Sequence, residues 1–197
     1  FSTNLNTSAG AFQSINEGAS DTYIIKLDSN CTRIFSTYIG GSGTDDAWGL
    51  VCDSLNNIYV AGHTNSADFD TTTSAYQTIH NGGVDCYLTK WLPSGTLIKS
   101  TLFGGLLNDH SIRLITLSST QLLLLAETEN SNLPTFSSSQ QQSIGGGYDI
   151  YLAAFDMNSL YPTWGTYYGG STNEDGADIK LVGNTSVLFC GSSNSID

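Results

Sequence analysis

The sequence repeats itself every 64 residues, and this period constrains the fold more than any single motif does. A segment with Asp and, two positions on, Tyr occurs three times, beginning at Asp21, Asp85 and Asp149. A double glycine also recurs, at residues 40–41, 104–105 and 169–170. Such long-period similarity is typical of stacked units that each bury a face against the next. We therefore predict a single repeat array over residues 1–197, with repeats at 5–68, 69–132 and 133–197.

One period of the sequence has the composition of four short strands. The four segments are Asp46–Asp53, Ile58–His63, Asp85–Leu92 and Thr96–Phe103. Turn residues separate them, and a long polar stretch lies between the second and the third. No segment shows a sustained helical period. This pattern predicts an all-β fold in which each repeat of about 64 residues supplies a four-stranded antiparallel sheet, arranged radially as the blade of a β-propeller. A parallel β-helix is the competing architecture, but its shorter rungs would not need three hairpin turns per period.

The two ends of the chain predict a partial propeller. Phe1–Leu5 and Ser193–Asp197 occupy the same place in the repeat, inside the long loop. The chain would then open with the two outer strands of one blade and close with the two inner strands of another. Soluble proteins avoid open sheet edges. We therefore expect either neighbouring repeats of a longer chain or a second copy of the chain to complete the ring.

The charge and hydropathy of the chain exclude some classes of binding partner. The chain has 18 acidic and 6 basic residues and a net charge of −12, which opposes binding to nucleic acid or to anionic membranes. The sequence contains no apolar run long enough to span a bilayer, so we expect no membrane insertion. We expect free and mostly buried thiols at the four cysteines, which fall at different phases of the repeat: Cys31, Cys52, Cys86 and Cys190.

Polar side chains follow each double glycine and form our candidate ligand-binding cluster: Asp45, Asp46, Asp109, His110, Glu174 and Asp175. In a propeller this loop enters the innermost strand, so the copies would converge at one mouth of the central channel. Carboxylates converging there could bind Ca²⁺, which prefers oxygen ligands. The alternative is that each carboxylate caps its own tight turn through backbone N–H groups. No copy has the D-x-D-x-D-G spacing of a dedicated calcium loop, and we predict no other cofactor.

Two recurrent features point to structural roles. We expect the recurring aspartates (Asp21, Asp85, Asp149) to accept hydrogen bonds from loop backbone, and the tyrosine two positions on to pack between blades. Phe12 and Tyr76, each within an Ala-(Phe/Tyr)-Gln segment, are expected to hold the long loop against the blade.

Three stretches of the sequence, residues 36–66, 74–97 and 164–171, resemble the bacterial SBBP repeat, a family named for a proposed seven-bladed β-propeller. The resemblance implies a secreted, extracellular or cell-surface protein, often a very long one, with an adhesive or unknown role. It implies no established chemistry.

Catalytic motifs do not stand out in the sequence. His63, His80 and His110 lie at three different phases, and H-E-x-x-H, C-x-x-C and G-x-S-x-G are absent. We therefore expect a non-catalytic scaffold, adhesion or ligand-binding module whose partner is a surface glycan or a protein. The loops at residues 68–78 and 132–144 differ most between copies and are the expected contact regions.

The alternative function is a hydrolase or lyase that acts on polysaccharide at the channel mouth. Paired carboxylates at a suitable separation perform acid–base chemistry on glycosidic bonds. The candidates for that pair are Asp45, Asp109, Glu174 and Asp175.

Overall fold

The protein is all-β, as the repeat pattern predicts. A computed structural model describes residues 5–183 and 186–197. All the secondary-structure elements assigned in these residues are β-strands. Of the end segment Phe1–Leu5, the first four residues lie outside this described part. The strands are β1 (Thr22–Leu27), β2 (Arg33–Ile39), β3 (Asp45–Cys52), β4 (Ile58–Thr64), β5 (Asp85–Trp91), β6 (Leu97–Phe103), β7 (Asp109–Thr116), β8 (Gln121–Thr128), β9 (Asp149–Asp156), β10 (Pro162–Tyr168), β11 (Glu174–Val182) and β12 (Ser186–Ser193).

The strands form four antiparallel sheets, two complete and two incomplete. Strands β3–β6 form a first blade and β7–β10 a second blade, each a four-stranded meander in chain order. Strands β1 and β2 form a two-stranded leading half-blade, and β11 and β12 a trailing half-blade. Each complete blade takes its inner strands from one repeat and its outer strands from the next. The predicted all-β fold with four-stranded blades is confirmed, and the sheets at both ends have two strands each.

The central strands are buried on both faces, and this places the core between the blades. Within Leu122–Ala126 of β8, alternate side chains point to opposite sides of the sheet. Leu122 and Leu124 pack with Tyr59 of the first blade, whereas Leu123 and Leu125 pack towards the trailing half-blade. A third cluster joins the leading half-blade to the first blade. A continuous apolar run is what a strand buried on both faces requires.

The first strands of successive sheets lie next to each other. β3 contacts β7, and β7 contacts β11. Each of these inner strands carries a bulge at the same position, where one extra residue interrupts the pairing: Trp48, Ile112 and Ala177. A bulge bends the strand and changes the direction of the extra side chain. The bulges therefore direct these three side chains differently from the rest of their strands.

The long loop is tied to its blade by the recurring residues. Asp85 Oδ2 accepts hydrogen bonds from the backbone N of Asn81 (3.0 Å) and from Gln77 Nε2 (2.8 Å). Equivalent bonds reach Asp21 and Asp149, which confirms the predicted bonding to loop backbone. Phe12 packs edge-on against the Trp91 ring, with centroids 5.7 Å apart.

Tyrosines two positions after these aspartates differ in burial. Tyr87 and Tyr151 are fully buried, and Tyr87 bonds to the preceding half-blade. Tyr23 is 60 % exposed, because the sheet that holds it has only two strands. The predicted packing between blades is thus seen in the two complete blades.

The cysteines are unpaired, but their burial differs from expectation. Cys86 is buried, whereas Cys31, Cys52 and Cys190 are exposed. The expectation of mostly buried thiols was wrong, because the three exposed cysteines lie in a turn, at the end of β3 and on the open β12. Among the described residues, no helix is long and apolar enough to cross a membrane.

Candidate functional site

The six predicted residues form three adjacent pairs: Asp45 and Asp46, Asp109 and His110, and Glu174 and Asp175. The first residue of each pair has a carboxylate that is buried in its own turn. Asp45 is fully buried and accepts hydrogen bonds from Gly41 N (2.9 Å), Ser66 Oγ (2.8 Å) and Thr64 Oγ1. Its Oδ2 accepts the hydrogen bond from the backbone N–H of Gly41, the second residue of the double glycine. This is the turn-capping geometry that the sequence offered as an alternative to a shared site.

Asp109 repeats the arrangement one blade later. It is 1 % exposed and accepts hydrogen bonds from Gly105 N (2.7 Å), Thr128 Oγ1 (2.5 Å) and Asn130 Nδ2 (2.8 Å). Burial raises the pKa of Asp109 to about 6, although these hydrogen bonds oppose the shift. Burial likewise raises the pKa of Asp45.

Glu174 takes the corresponding place in the trailing half-blade. It accepts hydrogen bonds from Gly170 N (2.9 Å) and Ser193 Oγ (2.6 Å) and is 6 % exposed. Asp45, Asp109 and Glu174 therefore each serve a separate turn, and none of the three lines the cleft described next.

The second member of two pairs reaches a common cleft of about 530 Å³ between the inner strands. We call it the inter-blade cleft. The side chains that give it its chemistry are Trp48, His63, His110, Glu127, Tyr148 and Asp175. The structure thus brings together His110 and Asp175 among the predicted residues. Asp46 lies instead in the groove beside β1, where its Oδ1 accepts a hydrogen bond from Ser20 Oγ (3.1 Å).

Four aromatic rings follow one another along the inter-blade cleft. The bulge in β3 places the Trp48 indole against the His63 ring, with centroids 6.0 Å apart and planes 22° from parallel. His63 meets His110 of the second blade edge-on at 4.9 Å, and His110 lies 6.2 Å from Tyr148. Trp48 remains 51 % exposed, so one end of this row is open to solvent.

The two imidazoles favour the neutral form. Burial lowers the pKa of His63, and the neighbouring His110 lowers it further, while Asp46 opposes the shift. Burial also lowers the pKa of His110, against the influence of Glu129. His63 Nδ1 is buried and has no hydrogen-bond partner within residues 5–183 and 186–197. A neutral imidazole with a free ring nitrogen can donate or accept a hydrogen bond.

Two carboxylates, Glu127 and Asp175, also line the cleft, and Glu127 is paired with His110 between β7 and β8. Glu127 Oε1 accepts a hydrogen bond from Gly176 N (2.9 Å) and so links the second blade to the trailing half-blade. Burial raises the pKa of Glu127, and the charge of Asp175 raises it further. The backbone N–H of Tyr148 donates a hydrogen bond to Asn173 Oδ1 (3.1 Å), which fixes the position of this residue.

Sequence reasoning missed Trp48, His63, Glu127 and Tyr148. One signal was present: His63 and Glu127 lie 64 residues apart, and each is a polar residue near the end of an otherwise apolar strand. The bulge that redirects Trp48 has no comparable sequence signal, because it depends on how β3 pairs with β4.

The arrangement gives no support for a metal centre. In the described part of the chain, no group of three or more His, Cys, Asp or Glu side chains is placed to hold a metal ion. The cleft is concave, and aromatic rings, neutral imidazoles and carboxylate oxygens line it. This combination is suited to a small polar ligand.

Comparison with known proteins finds a family match over part of the chain. A family model described as SBBP, beta-propeller repeat, matches residues 34–70. The matched stretch runs from β2 through the double glycine, β3 and β4, and it confirms the resemblance seen in the sequence. No curated protein matches the chain.

Proposed function

We propose that the chain is a non-catalytic β-propeller segment of a secreted or cell-surface bacterial protein, and that it binds glycan in the inter-blade cleft. The observation that carries the proposal is the row of four rings, from Trp48 to Tyr148, in the same cleft as the carboxylates of Glu127 and Asp175. The propeller supplies the rigid frame, and side chains from two blades and a half-blade supply the contacts.

The chemistry of the cleft matches a sugar better than an ion. The flat, apolar face of a pyranose can pack on an exposed indole such as that of Trp48. Sugar hydroxyls can donate to Glu127 and Asp175 and exchange hydrogen bonds with a neutral, partly buried His110. Because the cleft carries carboxylates and no cationic side chain among those named, a neutral glycan should bind better than one rich in uronic acid.

A surface location is supported by composition and by the repeat family. The net charge of −12 suits a solvated outer surface and disfavours nucleic acid as partner. The resemblance to SBBP repeats implies secreted or cell-surface proteins with adhesive or unknown roles. Antibody labelling of intact source cells tests the location: labelling before permeabilisation is expected, and labelling only after it would contradict a surface role.

The binding proposal is tested with an array of neutral and acidic oligosaccharides, followed by calorimetric titration of the best binder. We expect Trp48→Ala to weaken binding by at least about tenfold, which corresponds to about 1.4 kcal/mol. Tyr161→Ala is the matched control, since Tyr161 is a 45 % exposed ring outside the cleft. Equal loss in both variants, or no binding by the wild-type chain, would contradict the proposal.

The same titration distinguishes a binding module from a polysaccharide-acting enzyme. Glu127 has a raised pKa and lies beside Asp175, so this pair is the acid–base candidate within the cleft. The variants Glu127→Gln and Asp175→Asn should alter affinity only. Product release from the bound oligosaccharide, abolished by either variant, would instead establish the enzyme; Glu174→Gln is the control outside the cleft.

A further inference from the structure

The electrostatic potential of the inter-blade cleft is negative. Glu127 and Asp175 line it, and none of its lining residues in the described part of the chain is Lys or Arg. Burial lowers the pKa of His110, and the charge of Glu129 opposes that shift. Burial raises the pKa of Tyr148, and the nearby charges of Glu129 and Glu127 raise it further. A cationic ligand therefore gains Coulomb energy in this cleft, and an anionic one loses it.

The basic residue that lies closest in sequence to a cleft residue already has a partner. Arg113 follows Ile112, which lines the cleft, on β7. Its Nε lies 3.6 Å from Asp178 Oδ1, and its Nη1 donates to the carbonyl of Ile112 (2.8 Å). This cation is therefore paired with Asp178 and not with Glu127 or Asp175.

The cleft also has a buried hydroxyl without a hydrogen-bond partner. Ser111 lines the cleft although it is only 2 % exposed, and within residues 5–183 and 186–197 its Oγ has no partner. Leaving a buried polar group unpartnered is costly, so a group that enters the cleft gains by bonding to this hydroxyl. A hydroxyl can accept a hydrogen bond, and the ionised carboxylates of Glu127 and Asp175 only accept. The cleft therefore suits a ligand that is rich in hydrogen-bond donors.

The aromatic rings at the two ends of the row favour the same kind of ligand. The indole of Trp48 is 51 % exposed, and Tyr148 lies at the far end, beyond His110. An ammonium group near the face of an indole or a phenol ring is attracted by the negative potential of that face. An amino sugar combines the two features that the cleft requires, because its ring carbons can pack on the indole while its ammonium donates to the carboxylates.

We propose that the glycan bound in the inter-blade cleft carries free amino groups, as in oligosaccharides of glucosamine, and that Glu127 and Asp175 bind its ammonium; this assignment rests on the glycan binding proposed for the chain. An ammonium has three hydrogen-bond donors and no acceptor, which matches the acceptors of the cleft. N-acetylation removes the positive charge from the amino group. An N-acetylated oligosaccharide of the same length and linkage therefore loses the Coulomb contribution and keeps the packing on Trp48.

Calorimetric titration with two matched probes tests the sugar class. The probes are a tetrasaccharide of glucosamine and its fully N-acetylated form, at about pH 6.5, where a primary ammonium largely keeps its proton. The wild-type chain should bind the amino form at least about tenfold more tightly than the N-acetylated form. Equal affinity, or tighter binding of the N-acetylated form, overturns the assignment and leaves glycan binding itself intact. Failure to bind any oligosaccharide, including those of the array, overturns both.

A substitution at Glu127 locates the preference. Glu127→Gln keeps an oxygen that can accept from Gly176 N and removes the charge, so the preference for the amino form should fall at least about fivefold. Glu17→Gln is the matched control, because it removes one negative charge at an exposed position outside the cleft and should keep the wild-type preference. Equal loss in both variants would assign the effect to the net charge of −12 and overturn the site. A lysine tripeptide that binds as tightly as the amino tetrasaccharide would overturn the sugar assignment.

Discussion

The hydroxyl of Tyr87 lies 2.6 Å from that of Thr22, and this hydrogen bond joins the first blade to the leading half-blade. Thr22 Oγ1 also donates to the carbonyl of Asp45 (3.0 Å), so the tyrosine supplies the proton between the two hydroxyls. Three strands from two sheets are linked in this way, through β1, β3 and β5. The contact lies in a fully buried position, where an unmade hydrogen bond is costly.

Replacing Tyr87 by Phe should lower the free energy of unfolding by about 1–2 kcal/mol, because the ring packing is kept and one buried hydrogen bond is lost. Urea denaturation followed by fluorescence measures the change. Tyr168→Phe is the control: Tyr168 is 54 % exposed, and the variant should stay within about 0.5 kcal/mol of wild type. A Tyr87→Phe variant as stable as the control would show that the hydrogen bond contributes nothing.

Asp45 and Asp46 are neighbours in sequence but should respond very differently to replacement by alanine. Asp45→Ala leaves Gly41 N and two hydroxyls without their buried acceptor and should cost about 3 kcal/mol. Asp46→Ala removes one partly exposed contact to Ser20 and should cost less than about 1 kcal/mol. Thermal melts of both variants at neutral pH make the comparison. Similar melting temperatures for the two variants would contradict a structural role for Asp45.

The architecture was predictable because the period, the turn residues and the apolar runs all indicate the same unit. The apolar run Leu122–Ala126 predicts a short strand covered on both faces, and the structure places it between the first blade and the trailing half-blade. Agreement among several levels of sequence information is what makes a fold predictable.

The cleft was less predictable because it depends on three sheets at once. The sequence placed Asp45 and Asp46 together, yet strand alternation sends neighbouring side chains to opposite faces. One of them is buried in the turn, and the other lies in a different groove from His110. The position of Trp48 depends on a bulge, and that of Tyr148 on the end of a long loop. Neither can be derived from a period of 64 residues.

Asp109 should make stability depend on pH between about 4 and 6. Burial raises its pKa from 3.8 to about 6 in the folded chain, so the folded state holds the proton more tightly than the unfolded state does. Its stabilising contribution is complete below about pH 4 and is lost as pH rises through about 6. The difference amounts to roughly 3 kcal/mol at most, from about 1.4 kcal/mol per pKa unit.

Urea denaturation from pH 3.5 to 7.5 tests this contribution. Asp109→Asn should flatten the fall in stability over that interval relative to wild type, although Asp45, Asp85 and Asp149, whose pKa values are also raised by burial, will keep part of the slope. Glu17→Gln removes an exposed carboxylate and one negative charge and should leave the profile unchanged. Parallel profiles for wild type and Asp109→Asn would contradict the buried, proton-binding carboxyl.

At Gly49 the inner strands of the first and second blades approach each other closely. A Cβ at Gly49 would lie 2.6 Å from Leu114 Cβ and 2.7 Å from Leu114 N, and the backbone atom cannot rotate away. Gly49→Ala should therefore separate β3 from β7 and lower the free energy of unfolding by about 1–3 kcal/mol. Ala47→Val adds apolar volume at an exposed position of the same strand and should change stability by less than about 0.5 kcal/mol.

Since Trp48 and His110 lie on these two strands, Gly49→Ala should also weaken glycan binding in calorimetric titration, whereas Ala47→Val should not. Unchanged stability and unchanged binding in Gly49→Ala would mean that the two blades do not pack as closely as the structure shows.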